Sequence, residues 1–476
     1  MQFITSLYTE VLQHLLTIVG FVLAVFLIAR LMSEKRQPGN TMAWLLVIVL
    51  IPYVGVPLYL LFGGRKLRRL VARKSRLAPV PSDAAVVTSA TAAGAIAQAL
   101  VRASGCPPVG GNAVRFLTTG EEAYAEFERQ IRGAKHTIHL MTFILGRDDT
   151  GRRMVELLAQ RAREVVKVRL LLDAVGCVLS SRGFVDSIRK AGGEVHRFMP
   201  VLMLQWRGSA NLRNHRKIAV FDQQRVILGG HNLAVEYMGP RALKKRWRDF
   251  GAVIEGPAVE LLNEIFLADW RYAGGKPVAA PPAAKRGPGV APHGACELQV
   301  VASGPDVPGD PLYEGILAMI QGAEHSLWIV TPYFLPDEVL LRSLMVKAHA
   351  GCAITLIVPA RSNHPVTDFA RRYYVRELRR AGVRVLLFGP GMMHSKALIA
   401  DDRVALFGSP NFDPRSLFVN FEIGVLAHSP SDALAMKAWI ESFLPDCREP
   451  KPEPTRRRRF VGNVLEDVSR LLAPLL

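Results

Sequence analysis

Cysteine is scarce in this chain of 476 residues, and its five cysteines never occur at short spacing. A dense disulfide framework and a cysteine-based zinc site are therefore excluded. No cluster of carboxylates suggests another metal site, so we expect neither a metal nor an organic cofactor. An odd number of scattered cysteines also fits a reducing compartment: Cys106, Cys177, Cys296, Cys352 and Cys447.

Acidic residues are also few, with 41 Asp and Glu against 60 Lys and Arg, which leaves a net charge of +19. Because 50% of the residues are hydrophobic and only 21% are charged, a chain disordered throughout is excluded. The length allows two or three domains. The positive charge predicts an anionic partner, which could be a membrane surface, a nucleic acid or a phosphorylated substrate.

Two stretches near the amino terminus lack formal charge. The nineteen residues from Val11 to Ala29 are long enough to cross a bilayer, and so are residues 41–62. We therefore predict a membrane domain at residues 1–74, with spans at about 11–31 and 41–62. Since Pro52, Gly55 and Pro57 would kink or break the second helix, a re-entrant segment is the alternative there.

The distribution of positive charge predicts the orientation of these spans. The short loop between them carries two basic residues, whereas seven follow the second span. By the positive-inside rule, the chain is a multi-pass protein of the inner membrane whose large downstream part faces the cytoplasm. The cluster could also attract anionic headgroups, at about 1 kcal/mol per residue. It comprises Arg65, Lys66, Arg68, Arg69, Arg73, Lys74 and Arg76.

Two low-complexity stretches divide the rest of the chain. Residues 75–112 are rich in Ala, Pro, Ser and Gly and are expected to form a tether, with one short helix around Ala92 to Val101. A protein that starts near Val109 should therefore still fold. Residues 274–294 form a Pro/Gly/Ala linker between two lobes, at 113–273 and 295–447. A basic tail with a helix follows at 448–476.

The two lobes are repeats of each other. His136 and Thr142 in the first lobe correspond to His325 and Thr331 in the second, each at an offset of 189 residues. Each pair lies in a strand-like apolar run, which is followed by a helical pattern and a second buried strand. The alternation predicts two α/β lobes with parallel or mixed sheets.

The repeat also duplicates a motif with chemical meaning. The spacing H-x-K-x-x-x-x-D occurs twice, and an Asn lies seventeen residues after each His. One H-x-K is weak evidence, but two copies with matching Gly and Asn offsets are strong. The candidate residues are His215, Lys217, Asp222 and Asn232 in the first lobe, and His394, Lys396, Asp401 and Asn411 in the second.

Residues two apart on a strand point to the same face, so each His shares its face with a Lys. If the lobes pack about a pseudo-twofold axis, two imidazoles and two ammonium groups meet in one cleft. One imidazole could attack a phosphodiester while the other protonates the leaving oxygen, and the lysines and asparagines could stabilise the phosphorane without a metal.

A nucleophilic imidazole also needs an acid on its other ring nitrogen. Asp249 and Glu422 are the candidates, since each lies shortly beyond an Asn in a strand-like segment; surface salt bridges are the alternative reading. Asp222 and Asp401 lie where a strand enters a turn, which favours a structural role over a chemical one.

These motifs resemble the phospholipase D superfamily, whose mark is the duplicated H-x-K-x-x-x-x-D pattern, and within it the bacterial cardiolipin synthases. The resemblance extends from Trp44 to Leu476 and implies two pseudo-symmetric phospholipase D-like α/β sandwich lobes, preceded by two transmembrane helices. It counts all six H, K and D positions as catalytic and favours His215 as the nucleophile. Further similar segments begin at Asn214, Gly229, Trp247, Thr331, Pro410 and Asn420.

The resemblance implies that two phosphatidylglycerol molecules are converted to cardiolipin and glycerol through a phosphohistidine. Phosphatidylethanolamine is an alternative second substrate. A hydrolase of the same fold, acting on phospholipid or, as the weaker alternative, on nucleic acid, is the first rival, and an inactive membrane scaffold is the second. The membrane segments favour lipid over nucleic acid, and two complete motifs argue against the scaffold.

Overall fold

The computed structural model describes residues 2–33, 38–62, 92–180, 183–199, 212–278 and 294–451. These residues fall into two compact units, one containing the amino-terminal helices and one containing both predicted lobes. The basic cluster at 65–76, most of the 274–294 linker and most of the 448–476 tail lie outside the described residues. Their predicted roles remain predictions.

The amino-terminal unit contains three helices, α1 (Gln2–Ser33), α2 (Pro38–Leu50) and α3 (Pro52–Phe62). The second predicted span is thus divided at Ile51, directly before Pro52, as the helix-breaking effect of proline predicts. Gly55 is required there, because a Cβ would lie 2.3 Å from the carbonyl oxygen of Val47. Within the described part of the chain, the model contains no helix that meets both the length and the hydropathy needed for a membrane crossing.

The second unit contains two lobes with the same order of elements. The first lobe comprises β1 (Val109–Leu117), α5 (Gly120–Gly133), β2 (Thr137–Thr142), α6 (Asp149–Arg163), β3 (Lys167–Asp173), α7 (Asp186–Lys190), β4 (Glu194–Phe198), β5 (Ile218–Phe221), β6 (Arg225–Gly229), β7 (Gly251–Glu255) and α8 (Ala258–Tyr272). A further helix, α4 (Ala92–Ser104), precedes β1.

The second lobe comprises β8 (Cys296–Ser303), α9 (Pro311–Gly322), β9 (Ser326–Val330), α10 (Glu338–His349), β10 (Ala353–Pro359), α11 (Pro365–Arg380), β11 (Arg384–Phe388), β12 (Ala397–Ala400), β13 (Val404–Gly408), α12 (Pro414–Phe418), β14 (Glu422–Ala427), α13 (Pro430–Ser442) and β15 (Cys447–Arg448). A 3₁₀ turn, Leu444–Asp446, joins the last two.

All fifteen strands belong to one mixed sheet, ordered β15-β11-β10-β9-β12-β13-β14-β8-β1-β7-β6-β5-β2-β3-β4. In each lobe three neighbouring strands are parallel and the others antiparallel. The antiparallel pair β1 and β8 joins the halves, and the order on either side of this pair is the same apart from the edge strand β15. The predicted pair of pseudo-symmetric α/β lobes is confirmed, with the addition that their sheets are continuous.

Local sequence explains why these elements begin where they do. The strand β10 is a near-continuous apolar run, and β3 contains the apolar run 170–172, which is the pattern of parallel strands covered by helices on both faces. Several helices begin at a side-chain cap. The Asp148 carboxylate accepts a hydrogen bond from the Gly151 amide at the start of α6, and Asp337 accepts one from Leu340 at the start of α10.

Three hydrophobic clusters stabilise this unit. One fills the first lobe beneath α5 and α6, and a second fills the second lobe beneath α9 and α10. The third lies between the lobes and combines α8 with α13 and with strands of both halves. Because this third cluster is shared, the lobes are packed against each other around it, and the segments that precede β5 and β12 are brought together.

The helix α4 changes one prediction. Its side chains Ile96 and Leu100 are buried in the core of the second lobe, and Leu100 packs against the bare Cα of Gly315 in α9. The Gln299 side chain also donates to the Ala97 carbonyl oxygen at 3.1 Å. The part of the predicted tether that the structure describes therefore belongs to the folded unit. A protein starting near Val109 would lose part of its core.

Candidate active site

Each candidate histidine lies just before a short central strand. His215 precedes β5, whose Ile218 pairs with Met141 near the carboxyl end of β2. The backbone before β5 also reaches across to the other lobe. The amide of His215 donates to the carbonyl oxygen of Phe421 at 2.9 Å, and the amide of Phe421 donates to that of Arg213 at 2.9 Å.

The second lobe has the equivalent arrangement, in which its histidine segment reaches across to the first lobe. The His394 amide donates to the Arg248 carbonyl oxygen at 2.7 Å, and the Arg248 amide donates to the Met392 carbonyl oxygen at 2.8 Å. Both histidine segments are therefore held by parallel bridges to a segment of the opposite lobe. In each case, the residue directly after the bridge is one of the predicted acids, Asp249 or Glu422.

As a result, the acids are exchanged between the lobes. The Glu422 Oε2 atom lies 3.1 Å from His215 Nδ1, across 207 residues of sequence. The Asp249 Oδ2 atom lies 2.6 Å from His394 Nδ1, across 145 residues. With Nδ1 bonded to a carboxylate, the proton is held on that nitrogen and Nε2 is the atom available for chemistry. The histidine of each lobe is therefore bound by a carboxylate of the opposite lobe.

The two acids differ in their surroundings. Glu422 also accepts hydrogen bonds from the hydroxyls of Ser409 and Ser416, the latter at 2.6 Å. Burial opposes its ionisation, but the neighbouring positive charge and these hydrogen bonds hold its pKa below the usual value. Asp249 has fewer donors, with the Phe250 amide at 2.8 Å, and burial raises its pKa.

Both imidazoles favour the neutral form in the protein as it stands. Burial lowers the pKa of His215, and the charge of Lys217 lowers it further against the opposing effect of Glu422. Burial, followed by the charges of Lys396 and Lys217, lowers the pKa of His394 well below its usual value. Each lysine also acts on the histidine of the other lobe, so the four groups lie close enough to interact electrostatically.

The two lysines are buried beside their histidines. Lys217 Nζ donates to the carbonyl oxygen of His215 at 2.7 Å. Lys396 Nζ lies over the edge of the His394 ring, 2.7 Å from Nδ1 and 3.1 Å from Nε2. Burial lowers the pKa of Lys217 to about 7 and that of Lys396 to about 8. A buried anion between them would raise both values, so the cleft favours a negatively charged ligand such as a phosphodiester.

The two asparagines are buried near the cleft but are not equivalent. Asn232 Oδ1 accepts from the Ile144 amide at 3.0 Å, and the Asn232 side chain also interacts with the Tyr237 hydroxyl. Asn411 leaves its Oδ1 atom without a hydrogen-bond partner among the described residues. The backbone amide of Asn411 donates to the Ser416 hydroxyl at 2.8 Å.

Asp222 and Asp401 do not join this cluster. They follow the far ends of β5 and β12, in the left-handed region at φ of 50° and 52°. Each carboxylate accepts three backbone amides, from residues 135–137 and 324–326 respectively, at 2.7 to 2.8 Å. The resemblance counted both among the catalytic residues, whereas their oxygens bind the backbone ahead of β2 and β9, which favours the structural role that their position at a turn suggested.

Sequence reasoning missed several side chains around the site. Arg216 is fully buried and bonds to Asp269 at 3.0 Å and to Asp306 at 3.3 Å, so it connects the lobes behind the histidines. The ring of Phe143 packs 5.1 Å from that of His215. Two features of the sequence could have indicated these residues. Phe143 lies directly after β2, and Arg216 is the central residue of the H-R-K motif. Aromatic rings also pack on His394, from Tyr237 at 5.0 Å and Trp247 at 5.4 Å.

No group of three potential metal ligands from His, Cys, Asp or Glu occurs in the ranges that the structure describes. Duplicated α/β lobes, with a paired histidine site between them, define the class of protein: a two-lobed enzyme of the phospholipase D-like fold.

Comparison with known proteins leads from this class to a family. The domain family described as "Cardiolipin synthase, PLD-like domain" matches residues 127–270 and 316–444. The family "Phospholipase_D-nuclease N-terminal" matches residues 21–64. The chain is 34% identical over 471 residues to a cardiolipin synthase of Geobacillus kaustophilus, covering 95% of this chain and 92% of that protein.

A cardiolipin synthase of Alkalihalophilus pseudofirmus is 32% identical over 474 residues, covering 97% of this chain and 94% of the relative. Among solved structures, phosphatidylserine synthase of Haemophilus influenzae is similar with a TM-score of 0.57, at 16% identity, covering 80% of this chain and all of that one. This last similarity supports the fold alone. The chain belongs to the cardiolipin synthase family of phospholipase D-like enzymes.

Proposed function

We propose that the chain transfers a phosphatidyl group from one phosphatidylglycerol molecule to a second, forming cardiolipin and releasing glycerol. Membership of the cardiolipin synthase family supports this reaction. The observation that carries the mechanism is the exchanged pairing of His215 with Glu422 and of His394 with Asp249. One cleft then holds a nucleophile and an acid that no single lobe can provide.

In the first step, the lone pair on Nε2 of His215 attacks phosphorus, and the bond from phosphorus to the oxygen of the headgroup glycerol breaks. His394 transfers a proton to that oxygen, so glycerol leaves as a neutral alcohol. In the second step, His394 accepts the proton from a hydroxyl of the second phosphatidylglycerol. That oxygen attacks phosphorus, and the bond to the nitrogen of His215 breaks.

The difference between the two acids favours His215 as the nucleophile. A phosphorylated imidazole that keeps its Nδ1 proton carries positive charge, which an ionised carboxylate stabilises. Glu422 suits this role, since its pKa is lowered. Asp249, whose pKa burial raises, gives weaker support to a lasting positive charge on His394. His394 needs only to exchange a proton: it must carry one on Nε2 to protonate the leaving oxygen, it regains that proton from the incoming hydroxyl, and the negative charge of the bound phosphodiester favours this protonated form.

We assign the stabilisation of negative charge on the pentacoordinate phosphorus to the two lysines and to Asn232. The Nζ atoms of Lys217 and Lys396 lie beside the two histidines, and the buried side-chain amide of Asn232 supplies a further donor. Such preorganised donors act most strongly on charge that develops in the transition state. The catalytic set proposed here is therefore two histidines and two lysines, supported by the two acids and the asparagines.

The amino-terminal helices are proposed to attach the enzyme to the inner membrane, with the lobes in the cytoplasm. Support comes from the long uncharged stretches and from the exposed apolar side chains of α1, such as Phe21 and Phe26. The basic residues after the second stretch support the orientation. Protease protection in inverted and right-side-out vesicles tests it, since only inverted vesicles should expose the lobes to the protease.

The reaction is tested by incubating the purified full chain in detergent with phosphatidylglycerol labelled in its acyl chains. Cardiolipin together with free glycerol supports the proposal. Phosphatidic acid as the only lipid product would show that water is the acceptor and would contradict it. Adding phosphatidylethanolamine tests the second substrate, because cardiolipin formed with release of ethanolamine would show that this lipid donates its phosphatidyl group to a hydroxyl of phosphatidylglycerol.

A further inference from the structure

Two exposed apolar segments lead to the aromatic rings that pack on the catalytic imidazoles, and a third lies at the start of α11. The first is the loop 174–180 after β3, which exposes Val175, Val178 and Leu179. This loop packs on Phe143: the Cys177 thiol donates to the Phe143 carbonyl oxygen at 3.2 Å, and a Cβ on Gly176 would collide with Phe143. The ring of Phe143 in turn contacts His215.

The loop 174–180 is rigidly held although its tip is apolar and exposed. Asp173 accepts hydrogen bonds from the amides of Val175 and Gly176, both at 2.9 Å. At the other end, an Arg197 guanidinium nitrogen donates to the Ser180 carbonyl oxygen at 3.2 Å. Leu179 is 77% exposed on this well-anchored loop. Such fixed exposure of large apolar side chains is typical of an interaction surface.

The second segment is the loop 240–245, which leads directly to the aromatic and acidic residues at His394. Its Leu243 is exposed and stands among the basic residues Arg241, Lys244 and Lys245. Arg246 shapes the loop by donating to the Arg241 carbonyl oxygen at 2.6 Å. Neither this loop nor the first contains an acidic residue.

The third segment is the start of α11, with Val366 and Phe369 exposed. The guanidinium of Arg372 lies over the Phe369 ring at 4.4 Å. The preceding His364 ring packs 5.5 Å from that of Tyr333, which lies three residues after the end of β9. Apolar and basic side chains are therefore combined here as well.

We propose that these three segments form a lipid-docking rim: Val175, Val178 and Leu179 with Leu243, Val366 and Phe369. This proposal rests on the proposed function. The rim inserts into the surface of an anionic phospholipid bilayer around the cleft. Apolar side chains would enter the headgroup layer, and Arg241, Lys244 and Lys245 would pair with lipid phosphates. The phosphodiester could then reach the buried imidazoles while its acyl chains stay in the bilayer.

The test uses the full chain reconstituted in phosphatidylglycerol bilayers, with Val178 and Leu179 both changed to Ser. Cardiolipin formation should fall about tenfold, because two apolar side chains no longer enter the lipid. On a short-chain phosphatidylglycerol, below its critical micelle concentration, the variant should keep at least half of the wild-type rate. Val165→Ser is the matched control: this residue is 87% exposed but precedes β3, and both rates should stay unchanged.

Undiminished activity on bilayers would overturn the proposal, and so would an equal loss on both substrates, which would mean that the loop shapes the cleft. If the double variant instead changes the oligomeric state in detergent, the rim is covered by a second copy of the chain and lipid docking is wrong. Charge is tested separately: Lys244→Gln with Lys245→Gln should reduce the dependence of the rate on anionic lipid, and an unaltered dependence would contradict the assigned pairing.

A measurement that does not depend on catalysis tests the docking rim independently of the proposed reaction. An environment-sensitive fluorophore on Leu179→Cys should shift its emission to shorter wavelength when the chain is in bilayers, while the same label on Val165→Cys should not. Equal emission from both sites would overturn the docking rim. A clear shift in a protein that forms no cardiolipin would retain the rim and contradict the proposed function.

Discussion

Changing Glu422 to Gln tests the assignment of nucleophile and acid most directly. The substitution keeps the size of the side chain and removes its charge, while the hydroxyls of Ser409 and Ser416 remain in place. Phosphorylation of His215 creates positive charge 3.1 Å from the carboxylate. At an effective dielectric constant of about 20, a full charge at this distance is stabilised by ~5 kcal/mol.

The transition state for attack carries part of that charge. If about half has developed, roughly 2 to 3 kcal/mol is lost in Glu422→Gln, which corresponds to a rate reduced about 100-fold. The loss should appear in kcat with KM little changed, since the carboxylate touches the imidazole and not the lipid. Single-turnover formation of the labelled phosphatidyl adduct on His215 measures the affected step.

Glu255→Gln is the matched control, because its half-exposed salt bridge with Arg225, at 2.7 Å, contributes little to stability or chemistry. Its rate should stay within about twofold of the wild type. If Glu422→Gln forms the adduct as fast as this control, the carboxylate does not support the nucleophile. An adduct mapped to His394 with none on His215 would reverse the two histidine roles.

The remaining predictions concern the other parts of the site and the core. His215→Ala and His394→Ala should each abolish cardiolipin formation, and a variant that keeps substantial activity would show that one imidazole suffices. Activity should persist in excess chelator, because lysines carry the transition-state charge; loss on chelation, restored by one divalent metal, would contradict this. With pKa values of about 7 for Lys217 and about 8 for Lys396, both are protonated below these values, so kcat/KM should fall as the pH rises through them; a flat profile to pH 9 would refute the charge assignment. Leu100→Ala should cost roughly 2 to 5 kcal/mol of unfolding free energy, measured by denaturant titration. A protein starting at residue 109 should be correspondingly unstable, and one starting at 91 should not; equal midpoints would show that α4 is dispensable.

The sequence by itself determined the repeat, the class of fold and the residue types of the site. Side chains two apart on a strand share a face, so each H-x-K could be interpreted without a structure. The position of Asp222 at a strand-to-turn junction likewise favoured a structural role, although the amides it binds before β2 lie 85 and 86 residues away. The repeat and the shared strand face depend on local geometry, which adjacent residues specify.

Only the tertiary structure decided which acid holds which histidine. Spacing along the chain placed Asp249 and Glu422 near an Asn, but their partners lie 145 and 207 residues away in the opposite lobe. The exchange follows from bridges between the two lobes, which no periodicity in either half records. The same reason explains α4: its composition suggested a tether, and its burial depends on a groove beside α9 that forms only when the second lobe folds.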